Sequence, residues 1–203
     1  MTRKEKYLNY ISCFLVQSGF FIAIPFAHAH VQQSQAISFV TGLGHPWSGL
    51  DHVLAMIAVG LWGAQLGNPA LWTLPITFPL AMSLGAMMGL LGMPLPAIEA
   101  GIAASAIVLG IMVLGEIRPK LIVAVILVSC FAVFHGHAHG TELPAGQSGL
   151  LYSIGFVIAT GCLHGLGIAV GLIHHWPIGR VALRGSGVLI AVMGIFFLWQ
   201  AVA

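Results

Sequence analysis

Ten histidines stand against five acidic side chains in this 203-residue sequence, and several of them cluster. "HPWSGLDH" brings His45, Asp51 and His52 together, and Asp51 is the sole aspartate of the chain. "FHGHAHGTELP" brings together His135, His137, His139 and Glu142. Imidazole with carboxylate suits nickel, cobalt, zinc or iron, whereas copper(I) prefers thiolate and thioether. The three cysteines, Cys13, Cys130 and Cys162, lie in apolar runs and form no CxxC pair; a disulfide framework is not expected. Met56 falls four residues after His52, but the other methionines are scattered. On a helix, His135 and His139 share a face, about 6 Å apart along the axis. His137 points to nearly the opposite side. It is expected to pack or hydrogen-bond there, and it remains a candidate further ligand. Asp51 and His52 at the start of an apolar helix are a poor choice for packing and a good one for a cation.

The elements that hold these groups follow from composition. The chain is 59% hydrophobic and 6% charged, with mean hydropathy +1.00; soluble domains carry about 25% charge. The expected fold is an all-α integral membrane protein. A net charge of +2 without a basic cluster excludes nucleic acid as a partner, and no GxxxxGK[ST] loop supplies a nucleotide site. Residues 1–29 read as a secretory signal peptide: Arg3, Lys4 and Lys6, then an apolar run, then Ala27-His28-Ala29. Cleavage there would leave His30 beside a terminal amine, a further candidate metal ligand. Residues 30–203 then form one domain of six membrane-spanning helices, expected over Ser48–Leu66, Ala70–Leu91, Leu95–Leu114, Leu121–His139, Leu150–His174 and Gly185–Ala201. Small residues four apart mark close helix contacts at Gly85/Gly89, Gly101/Ser105, Gly161/Gly165 and Gly167/Gly171.

After the signal, the basic residues are Arg118, Lys120, Arg180 and Arg184. They fall in the loops Glu116–Lys120 and His175–Arg184, which makes those loops cytoplasmic and both mature termini external. Trp47, Trp62, Trp72, Trp176 and Trp199 fall near helix ends, as in an interfacial belt. In this topology His45, Asp51, His52, Glu99, His135, His137, His139 and Glu142 share the outer face. His164 lies about 20 Å along its helix from that face, and His174 and His175 sit at the inner end. This is a staged path for a divalent cation, which is cargo rather than a resident cofactor. Two other chemistries use the same donors: an intramembrane zinc hydrolase, with Ser48 and Glu99 near the metal, or a b-type haem with two histidine ligands.

"HPWSGLDHVLAMIAVG" and "FHGHAHGTELP" resemble the two signatures of the HupE/UreJ family of membrane proteins. "IEAGIAASAIVLG" and "ATGCLHGLGIAVG" resemble that family's third and fifth helices, and the similarity runs over nearly the whole chain after the signal. The resemblance implies a nickel or cobalt permease of the inner membrane, linked functionally to the maturation of nickel or cobalt enzymes. It also implies essential roles for His45, Asp51 and His52, and for His135, His139 and Glu142. This chain departs from many members in placing His137 between the two histidines.

Overall fold

The computed structural model describes residues 35–203, so the expected signal peptide and His30 lie outside the described residues. Helix α1 covers residues 35–44 and runs into a short 3-10 turn, His45–Trp47. Six helices follow: α2 Leu50–Leu66, α3 Ala70–Leu90, α4 Ile98–Gly115, α5 Leu121–Thr141, α6 Gly149–Gly171 and α7 Pro177–Val202. A second 3-10 turn, Leu172–His175, extends α6. No strand occurs among the described residues.

Helices α3 to α7 are each long and apolar enough to cross a membrane. The segment Gln35–Trp47 and α2 pass the same test together, bent by 78°, and make up to a sixth span. Leu80, Leu84, Ile126, Val192 and Ile195 all point outward, a surface that suits hydrocarbon and not water. The fold is an all-α, multi-pass membrane bundle.

Apolarity alone gives helices no reason to associate in lipid, so close backbone packing does the work. Here it is concentrated in three helix pairs. In the α3/α5 pair, side chains added at Gly136 and Gly140 would overlap the carbonyl oxygens of Met82 and Ala86. Side chains at Gly85 and Gly89 would overlap those of Val133 and His137. In the α2/α6 pair, Gly60 faces the His164 carbonyl and Gly167 faces that of Ile57. In the α4/α7 pair, Gly110 and Gly187 play the same part. Helix α1 is held against the start of α6 by Gly42 at Tyr152 and Gly155 at Phe39. Among the described residues the expected close contact at Gly161/Gly165 does not occur: none of them lies within 4 Å of a side chain added at either position. Their spacing matches the others, but they lie on a different face of α6 from Gly155 and Gly167.

Several helix limits differ from the expected ones. Helix α4 starts at Ile98, not Leu95. Leu95 precedes Pro96, which disfavours helical backbone there, and Ala97 is left-handed, with φ 54°. Helix α7 starts at Pro177 and not Gly185, so Arg180 and Arg184 lie in its first two turns instead of in a loop. Proline suits the first helical position because the N–H it lacks would have no partner there. Helix α2 starts at Leu50 rather than Ser48, whose hydroxyl bonds back to the His45 carbonyl at 2.6 Å. Trp62 is not an interfacial residue: it is fully buried, and its indole donates to the Ile117 carbonyl at 2.9 Å. Trp47, Trp72, Trp176 and Trp199 are exposed.

Gly136→Ala forces apart the α3/α5 contact and is expected to destabilise the protein by about 1–3 kcal/mol, the usual range for overpacking. Gly161→Ala should leave stability unchanged or slightly raised. Thermal melts of the two variants in detergent compare them directly.

Candidate metal site

The chain reversals gather the donors at one end of the bundle. Helix α2 starts there, α4 starts there with Glu99, and α5 ends there with His135, His139 and Glu142. The bend between α1 and α2 turns His45 back over the start of α2. Its Nε2 lies 3.1 Å from Glu142 Oε2, and its ring centroid lies 4.8 Å from that of His139. His139 Nδ1 lies 3.6 Å from the same carboxylate oxygen. One ligand atom from each of His45, His139 and Glu142 fits within 4.8 Å of the other two, as a shared metal requires. Glu142 caps the end of α5 and is 53% exposed, whereas His139 is 6% exposed. The approach of His139 is the main cause that holds the Glu142 carboxyl below its ordinary pKa, against the effect of partial burial. It therefore stays ionised, as a cation ligand must.

A second rank lies behind the first. The His52 ring centroid is 4.6 Å from that of His139 and 5.0 Å from that of His135. His52 and His135 each have one nitrogen occupied. His52 Nδ1 donates to Asp51 Oδ1 at 2.8 Å, and His135 Nδ1 donates to the Phe131 carbonyl at 2.9 Å. That fixes both tautomers and leaves Nε2 of each as the free lone pair, the pattern in which an outer partner orients a metal-binding histidine. Both Nε2 atoms, and both nitrogens of His139, are buried without a hydrogen-bond partner. A polar atom left so in an apolar interior costs about 1–3 kcal/mol, and a metal ion would satisfy it. Asp51 Oδ1 also accepts from the His52 backbone N–H at 2.9 Å, so its place is beside His52 as an orienting group. A cavity of about 440 Å³ opens over the set, lined by His45, Asp51, His52, Glu99, His139 and Glu142.

Two of the sequence candidates stand apart. His137 faces away, and its Nε2 donates to the Met93 carbonyl in the α3–α4 connection at 2.7 Å. His164 is 1% exposed in mid-helix and is separated from His135 by the Phe78 ring, whose centroid lies 5.4 Å from each. His174 and His175 stack on each other at the opposite end, with centroids 4.0 Å apart. Met56 packs in the apolar core. Sequence reasoning missed the aromatic wall: Phe156 lies 4.4 Å from His139 and Tyr152 lies 5.7 Å from His45, centroid to centroid. Nothing in the apolar run of α6 distinguishes these rings from ordinary packing residues.

The family model described as HupE / UreJ protein matches residues 19–197. The chain belongs to this family. It is 42% identical over 174 residues to Protein HupE of Rhizobium leguminosarum bv. viciae, covering 85% of this chain and 91% of that relative. No solved structure matches. The family match encloses every described candidate ligand, and the family is one associated with nickel or cobalt transport or accessory function.

Asp51→Ala removes the group that orients His52 and is expected to weaken Ni²⁺ binding by roughly 10–100-fold, as loss of an outer partner does. His137→Ala should leave Ni²⁺ affinity unchanged and lower stability by about 1 kcal/mol, the worth of its bond to Met93. Isothermal titration with Ni²⁺ and a thermal melt on each purified variant separate the two effects.

Proposed function

We propose that this protein imports a divalent transition metal, nickel or cobalt, carrying it from the periplasmic side of the inner membrane to the cytoplasm. The observation that carries this reading is the convergence of His45, His139 and Glu142 at the mouth of a cavity, with His52 and His135 behind them. Support also comes from His164, buried deep in the same bundle, and from membership of the HupE/UreJ family. The mouth is the outer end: Arg118, Lys120, Arg180 and Arg184 all lie at the opposite end, and basic residues favour the cytoplasm. A doubly charged ion moving inward gains about 4.6 kcal/mol per 100 mV of membrane potential, twice the single-charge value. The potential alone can therefore drive uptake. The ion is cargo, the chain is a transporter and not an enzyme, and the delivered metal would serve the maturation of nickel or cobalt enzymes. Residues 30–203 act as a single transport domain. The imidazoles and the few carboxylates of the mouth suit an ion that must bind and then leave. The rings of His52, His135 and His139 lie against one another, an arrangement suited to a bare cation and not to a flat porphyrin between them.

Purified protein reconstituted into vesicles with an inside-negative potential should accumulate Ni²⁺ or Co²⁺ in preference to Zn²⁺. Collapse of the potential, or Asp51→Ala, should reduce accumulation strongly. Uptake no greater than in protein-free vesicles would overturn the reading.

A further inference from the structure

Below the histidine cluster, α6 carries a second set of polar atoms without partners. His164 and Thr160 lie one turn apart on the same face, at 1% and 0% exposure. Neither nitrogen of His164 has a hydrogen-bond partner, and neither does the Thr160 hydroxyl. Thr160 differs in this from Thr41, Thr73, Ser83 and Ser186, whose hydroxyls each bond to the carbonyl four residues before them. Helix α3 supplies a group beside His164. The Pro75 carbonyl interacts with the His164 ring without reaching hydrogen-bond geometry. In an uninterrupted helix that carbonyl would accept from the N–H of residue 79, but residue 79 is proline and has none. Pro79 thus frees a backbone acceptor in mid-membrane without adding a charge. One residue before it, Phe78 is fully buried. Its ring stands edge-on between the two levels, with centroids 5.4 Å from both His135 and His164.

We propose that His164, Thr160 and the Pro75 carbonyl form a second, deeper cation site, and that the Phe78 ring is the partition between it and the outer cluster. This rests on the import reading above and adds to it a separate resting place with its own ligands. The chemistry suits a late step. The deep site offers a neutral nitrogen and neutral oxygens and no carboxylate, so it holds a divalent ion less tightly than the outer cluster and releases it more readily. Backbone carbonyls exposed where a membrane helix is interrupted are a recurrent way to coordinate a cation at mid-depth. The ring face of Phe78 can attract a passing cation, while its bulk blocks a continuous water column.

The test is equilibrium dialysis of the purified full chain in detergent against Co²⁺, with visible absorption to report ligand field. The native chain should bind two ions. His52→Ala should keep one, the deep ion. Pro79→Ala restores an N–H that reclaims the Pro75 carbonyl and adds a good helix former, so it should fold at least as stably and keep only the outer ion. His52→Ala binding no Co²⁺, or Pro79→Ala still binding two ions with an unchanged spectrum, would sink the deep site. Phe78→Ala should keep both ions and raise vesicle uptake of Ni²⁺ by about threefold or more; an unchanged or lowered rate rules out the partition. Two bound ions without vesicle uptake would remove the import reading and leave the site. Uptake with a single bound ion would do the reverse.

Discussion

Two glycines of α5 press against carbonyls of α3, and two glycines of α3 press back against α5. That contact fixes how α5 is rotated, and the rotation decides what its last two turns can do. With Gly136 and Gly140 turned to α3, His135 and His139 face the start of α2, while His137 reaches the α3–α4 connection. The glycines are therefore part of the site even though none offers a ligand. Only about half a turn of α5 would put His137 in place of its neighbours, and it would dismantle the cluster.

The second requirement is that the imidazoles be held without being used up. A buried histidine with both nitrogens bonded is inert, and one with neither bonded is oriented by ring packing alone. His52 and His135 each have one nitrogen occupied, the first by Asp51 and the second by the Phe131 carbonyl. His45 and His139 share Glu142, the most exposed member of the set. The arrangement grades from an anionic, solvent-reached mouth to neutral buried nitrogens. A hydrated cation entering there would meet charge first and then the buried nitrogens.

The membrane spans and the candidate donors were legible in the sequence, because long apolar runs and the rarity of Asp51 are features of composition. The separation of His137 from His135 and His139 was legible too, since it follows from helical pitch alone. Other features needed tertiary information. Helix α1 is too short and too polar at its start to announce itself, and it is held by glycine contacts with α6. Trp62 has the composition of an interfacial residue and the position of a core one, because the Ile117 carbonyl takes its N–H. Gly161 and Gly165 have the right spacing on a face that meets no neighbour among the described residues. Asp51 stands out by its type, but its hydrogen bond to the His52 ring needed the structure. Period and composition state what a helix carries; which of its faces meets a partner is settled between helices.

The 78° bend between α1 and α2 has a consequence for the first of the ligands. His45 and His52 are close in sequence, and on one straight helix their distance would be set by pitch. Here they belong to segments of different direction, joined through Ser48 and Gly49. His45 is thus a tethered candidate donor, and its effective concentration at an ion held by His139 and Glu142 would depend on the bend angle rather than on helical rise. Opening that angle would lower the denticity of the mouth by one while every ligand remained in the chain.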